Sequence, residues 1–566
     1  MHKLIKIFIY QFLVFNFCLL LMACSSQLNQ SNTLENSHQI TLETDNPPAL
    51  NQEKTSTLPI SPNLIADENT VKIWISDEVF SDIINEIKNN NSFEFVINRD
   101  EANFWIEFLK ESENWNPIVF QKLFVLSVPY TQLVTEISKS DFYQMISNAE
   151  FEPGKQIWVK PEDFKYIQAL FVDIDLNRFI VKEDFPSECG LDLCWRINSF
   201  DEIEPFWKVI QIDNNHPLHT EFKLDQYPLV YQLEVKSNPD LVLDKNVSAL
   251  IEYNNYEKEL ITSVILTGTT AFVRNTALKI EENGLRFPTI NLSEILSKAD
   301  ITHISNEVPF YTKCPSAIPL RKEMRFCSDP EYIQILKDVG VDIIELTGNH
   351  LLDWGPEAMY ETLVIYKENN ISYYGGGVDL DDAEKPLIKN INGNNLVFLG
   401  CNIAGPDNNW VTEARPGSLK CDLTLLNNQI QEFRSDGYLP IVTIQHYEIE
   451  DFTPLKQVRT DFSSLADAGA VIVSGSQAHF PQGIDFVKNS FIHYGLGNLF
   501  FDQMDNWLRK STVDIHYFYK GKYINTELVP IINEDFGQPR MMTEEESNIF
   551  LKKMFEYSFY SLEKIR

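Results

Sequence analysis

Asn349 and His350 stand directly behind the apolar run Val341 to Leu346, in the order Thr347-Gly348-Asn349-His350, with Asp353 and Gly355 following. An amide oxygen beside an imidazole nitrogen suits a divalent metal or an oxyanion. Asp353, three residues on, is spaced to orient the imidazole. Alone, such a turn is equally a plain strand-to-helix connection. Four other apolar runs in the same half of the chain end in comparable groups. Ser263 to Leu266 leads into Thr267-Gly268-Thr269, and Ile301 to Ser305 leads into Asn306-Glu307. Ile441 to Ile444 leads into His446, Glu448 and Glu450, and Val471 to Val473 leads into Gly475-Ser476-Gln477-Ala478-His479. Three of the chain's ten histidines arrive in this way. The pattern indicates one shared site at one edge of a sheet.

The elements that must position these loops are strands alternating with helical stripes, an α/β pattern. A smaller α/β unit precedes them, over residues 68–237. It holds Val71-Lys72-Ile73-Trp74-Ile75, a helical stripe from Glu78 to Lys88, and strands at Phe93 to Ile97 and Ala102 to Phe108. Residues 238–259 read as a linker, 260–533 as the second unit, and 534–566 as a closing helix and tail. Lys520-Gly521-Lys522 between two apolar runs signals a hairpin, and Thr543 with Glu546 a capping box. His303, His493 and His516 lie within or beside apolar runs and read as core or edge histidines.

The ordered set of loops resembles the CapA capsule-synthesis family (poly-γ-glutamate biosynthesis and export), whose domain is a metallophosphatase-like α/β sandwich. Glu307, Asn349, His350, Asp353, Gly355, His446, Glu450, Gly475, His479 and Gln482 fall on that family's motif positions. So does Tyr494-Gly495-Leu496-Gly497-Asn498-Leu499-Phe500-Phe501-Asp502. Two positions depart from it. Thr269 stands for an expected Asp and Gln477 for an expected His, which in metallophosphatase-like sites serve a pair of metals. A neutral hydroxyl and an amide cannot offset two dications, which argues against a dinuclear centre. The remaining Glu307, Asn349, His350, His446 and His479 imply a single divalent ion with positions left for water or substrate.

On this reading His350 and His446 are ligands or proton carriers, and Glu307 is a ligand or general base. Asp353 is a supporting partner or helix cap. Thr269, Gln477 and Glu450 line or flank the pocket, and Arg274 pairs a carboxylate or phosphate, or makes an ordinary surface salt bridge. The resemblance implies a role in capsule or polyglutamate synthesis or export. It leaves two alternatives: a metal-dependent hydrolase of ester, phosphoester or amide bonds, or a non-catalytic site that grips a polymer end or a partner in the export machinery. The first unit resembles, faintly and without a ligand motif, one lobe of a periplasmic solute-binding protein.

At the amino end, Lys3 and Lys6 precede an apolar stretch from Ile7 to Met22, and then Leu21-Met22-Ala23-Cys24. This resembles a lipoprotein signal peptide over 1–23, with Cys24 as the lipidated residue anchoring an extracytoplasmic chain to the membrane. Residues 24–67, rich in Asn, Ser, Thr, Gln and Pro, read as a disordered tether. Removing Lys3 and Lys6 with the signal takes the net charge from −34 to −36. Nucleic-acid binding needs a basic face and is excluded as a role. Six cysteines remain, in close pairs: Cys189 with Cys194, Cys314 with Cys327, and Cys401 with Cys421. An even count in an exported chain suggests three local disulfides, and no C-x-x-C spacing supports a zinc cluster instead.

Overall fold

The computed structural model describes residues 71–558, apart from 89–92, 110–117, 149, 152–154, 187–188, 190–193, 238–252 and 320–323. The signal, Cys24 and the tether lie outside the described residues. So do most of the linker and the last residues of the tail.

The first unit is built on the long strand Ile118–Pro129, which carries Val230–Ser237 on one flank and Cys194–Ser199 on the other, both antiparallel. Val71–Ile75 pairs in parallel with both Phe93–Phe95 and Phe104–Phe108, so the sheet is mixed. Tyr253–Asn254, read from sequence as linker, instead pairs with Ile118–Pro129 and belongs to this sheet.

The second unit is a sandwich of two sheets. In the first, Ser372–Tyr374, Ile343–Glu345, Ile301–Asn306 and Ile261–Thr270 run parallel, and Lys510–Tyr519, Lys522–Glu534 and Gln538–Met541 continue antiparallel. In the second, Asn394–Asn402, Leu439–Gln445, Ile472–Ser474 and Ser490–His493 are parallel, with antiparallel strands at both edges. Alternation along each strand explains the layers. Val264 and Leu266 join Leu396, Phe398 and Ile441 in the core between the sheets. Ile265, Ile304 and Ile344 face the other way, against Leu336, Met359 and Leu363 of the helices on that side. Val397 and Val442 pack outward on Ile430, Phe462 and Leu465. The result is helix, sheet, sheet, helix.

Local signals produce the closing elements. Lys520 and Gly521 both take positive φ in the hairpin turn, and Thr543 and Glu546 form the capping box of helix Glu544–Glu556. That helix buries Phe550, Leu551 and Met554 in the inter-sheet core. The disulfides Cys189–Cys194, Cys314–Cys327 and Cys401–Cys421 are all formed. His303, His493 and His516 are buried and paired, with Tyr374, Asp514 and Thr526 respectively. Among the described residues no helix is long and apolar enough to cross a membrane.

Candidate functional site

The five loops come from the carboxyl ends of strands in two facing sheets rather than from one sheet edge. Thr269 lies at the carboxyl end of strand Ile261–Thr270, and Glu307 and Asn349-His350 follow other strands of the first sheet; His446 and Gln477–His479 follow strands of the second. Backbone contact holds them together. The Glu307 N–H donates to the Thr270 carbonyl (3.0 Å), and the Gly497 N–H to the Ala478 carbonyl (3.1 Å). Glycine is required where chains meet. A Cβ on Gly268 would lie 1.9 Å from the Gly497 carbonyl oxygen, and one on Gly475 2.0 Å from that of Tyr494. Asn402 and Asn409, from the second sheet's side, donate to the carbonyls of Thr347 and Gly348 (2.7 Å each) and so fix the Asn349-His350 turn.

Glu307 and His479 are brought together. His479 Nε2 lies 3.5 Å from Glu307 Oε1 and 3.9 Å from Glu448 Oε2, while its Nδ1–H donates to Asn498 Oδ1 (2.7 Å). The ring stacks on Phe501 at 4.9 Å. Burial opposes charge on this imidazole, but the carboxylates of Glu307 and Glu448 outweigh it and push the pKa up to about 10. Burial would raise Glu307; His479, His350 and Arg274 hold it below the usual carboxylate range. His350 is also raised, burial being overcome by Asp353 and Glu307.

Asp353 accepts from His350 Nδ1 (2.8 Å) and from the Phe326 N–H (2.8 Å). It is a supporting partner and not a helix cap, because the helix Gly355–Glu368 is capped at Trp354 without a side-chain bond. Arg274 holds Asp502 through Nε (3.1 and 3.2 Å) and a further contact from Nη2, with its guanidinium 5.1 Å from the Phe501 ring.

His446 stands differently. Its Nε2 lies 3.0 Å from Asp461 and its Nδ1 accepts the Tyr447 N–H at 2.7 Å, so neither ring nitrogen presents a free lone pair. As placed it is a structural histidine of the second sheet rather than a ligand. Glu450 is exposed and lines a separate shallow groove with Phe452 and Trp507. Thr269 is fully buried, its hydroxyl donating to the Ser476 carbonyl (3.4 Å).

Sequence reasoning passed over Glu345. It sits fully buried between the sheets and takes hydrogen bonds from Thr347 Oγ1 and Ser476 Oγ, tying the loop of Asn349 to the loop of His479. Burial pushes its carboxyl up to about 7 despite those donors. The signal was an acid in the apolar run Ile343-Ile344-Glu345-Leu346, on the inward-facing alternation with Ile343.

The five expected ligands do not converge as a set. Among the described residues no three His, Cys, Asp or Glu side chains converge closely enough to hold an ion. Glu307 and His479 meet, but Thr269 and Gln477 are neutral and His446 is engaged elsewhere. What the site does offer is alternating charge and uncommitted polar atoms: Glu307 Oε1 faces the His479 ring, and Asn349 Oδ1 and both amide atoms of Gln477 are buried without a hydrogen-bond partner.

An αββα sandwich carrying a His–Glu–Asn loop cluster on one edge is the class of domain that these features define. Residues 263–503 match the family model of the bacterial capsule synthesis protein PGA_cap, so this part of the chain is similar to that family. The chain is 28% identical over 229 residues to the capsule biosynthesis protein CapA of Bacillus anthracis, across 39% of this chain and 55% of that one. It is 26% identical over 211 residues to the PGA biosynthesis protein CapA of Bacillus subtilis, across 37% and 56%. The chain thus spans little more than half the length of these relatives. Among solved structures it is similar to Haemophilus influenzae NAD nucleotidase (TM-score 0.29, 10% identity, 53% of this chain and 64% of that chain). It is also similar to a phosphate transport receptor from Vibrio cholerae (TM-score 0.23, 12% identity, 32% and 91%). Likenesses this low bear on neither chemistry nor ligand.

Proposed function

We propose that the chain is a lipid-anchored, extracytoplasmic protein of capsule or poly-γ-glutamate synthesis or export. In this reading its second unit grips a polymer end or an export partner through the Glu307–His479 pocket. The relatives' names support the process; the site supports the mode. The single observation that carries it is that His479 is closed onto Glu307 and Glu448 while His446 is spent on Asp461. The imidazole of His479 between the carboxylates of Glu307 and Glu448 suits a ligand bearing both signs of charge, as the end of an amino-acid polymer does.

A second reading, hydrolysis with one divalent ion, is favoured by a different observation. His479 and His350 are each held through Nδ1 by an oxygen of Asn498 or Asp353, the arrangement that orients metal-binding imidazoles. Its donors would be Glu307, Asn349, His350 and His479. Metal analysis of the purified mature chain beside a His350→Ala/His479→Ala double variant separates the two. Absence of stoichiometric metal in both, with binding of a γ-linked glutamate oligomer lost in His479→Ala, supports the binding reading. One equivalent of metal, lost in the double variant, overturns it.

A further inference from the structure

A cavity of about 720 Å³ opens where the first unit meets the second unit's first sheet. Its place is the opposite end of that sheet from Glu307. Ser263 and Asp300 on its wall stand at the start of the strands whose far ends carry Thr269 and Glu307. Its volume lies within the range of small-molecule sites, which favour such domain junctions.

The floor is apolar, made by Ile261, Ile265, Ile295 and Ile515. The rim is acidic. Five carboxylates line it (Glu221, Glu259, Glu294, Asp300 and Glu527) against Lys258, Lys298 and His219. Those cations are already committed. Lys298 pairs with Glu221 (3.4 Å) and Glu294 (3.0 Å), Lys258 Nζ donates to the Thr220 carbonyl, and His219 Nε2 lies 3.0 Å from Glu527. Asp300 is held by neutral donors alone, the Ser263 N–H and hydroxyl (2.8 Å each) and Asn392 Nδ2 (3.2 Å). Low-dielectric walls focus this surplus negative charge into the opening.

We propose that this cavity is a second ligand site, for an organic cation with an aliphatic body: the body on the isoleucine floor, the cationic head among the carboxylates. An anionic amphiphile of the same length would meet the same floor but a repulsive rim. The test is calorimetric titration of the full chain with hexyltrimethylammonium and, separately, hexanoate. The expected result is saturable one-to-one binding of the cation and at least about tenfold weaker binding of hexanoate. Ala299→Trp, which fills the cavity, abolishes binding. A Glu259→Lys/Glu294→Lys variant changes only rim side chains, Glu294 being 85% exposed, and weakens the cation by at least about tenfold while leaving the circular dichroism spectrum unchanged. No binding of the cation, equal binding of hexanoate, or a rim-reversed variant that binds as the parent does would each overturn the proposal.

Discussion

Glu345→Gln tests how the two sheets are joined beneath the pocket. The Glu345 carboxyl is fully buried, and its pKa moves from 4.5 to about 7 because burial penalises the charged form. The folded protein therefore holds this proton more tightly than the unfolded chain does. Its contribution to stability is complete below pH 4.5 and is lost as the pH rises through 7. At about 1.4 kcal/mol per pKa unit, the loss is about 3 kcal/mol. Glutamine has nearly the same shape and does not titrate, and the hydroxyls of Ser476 and Thr347 can turn to accept from its amide. Wild type and variant, unfolded in urea near ~pH 5, should differ little. Near ~pH 8 the variant should be more stable by about 3 kcal/mol, since every other titrating group cancels in the comparison. Stability profiles that stay parallel between these pH values would refute the assignment of a buried, titrating acid at this position.

Other perturbations have defined outcomes. His479→Gln leaves the Glu307 carboxylate buried without its cation and should cost about 3 kcal/mol, much of it recovered in the Glu307→Gln/His479→Gln double variant; a double-mutant cycle on denaturant midpoints reads this coupling. Asp461→Ala should cost about 1–3 kcal/mol by stranding the buried His446 Nε2, yet leave the imidazole signals of His479 and His350 in place in the NMR spectrum. Selective reduction of Cys401–Cys421, which closes 20 residues beside the Asn402 and Asn409 clamps, should lower stability by about 3 kcal/mol in chemical denaturation.

What the sequence made legible was local. The capping box of Thr543, the turn at Lys520-Gly521 and the three cysteine pairs each depend on residues a few to twenty positions apart, and all are present in the fold. The apolar runs that end in polar loops were equally readable, because a buried strand declares itself by composition. Which sheet each run would join was not readable, since pairing between parallel strands is set by packing across long separations. The same limit explains His446. Its partner Asp461 lies 15 residues on, across a loop and into the helix Lys456–Ala468, and nothing in the spacing says that the ring will turn toward it. Glu345 shows the opposite case. Its burial was visible in the alternation, but its partner Ser476 is 131 residues away, so its role as a tie between two loops appears only in three dimensions.

The most direct test of the pocket is the titration of the His479 imidazole, followed by NMR on histidine-labelled protein and assigned against His479→Gln. If Glu307 and Glu448 close around this ring, it remains protonated well above neutral pH, with a pKa near 10. An imidazole that titrates at an ordinary histidine value, about 6.5, would mean that the loops do not converge as described.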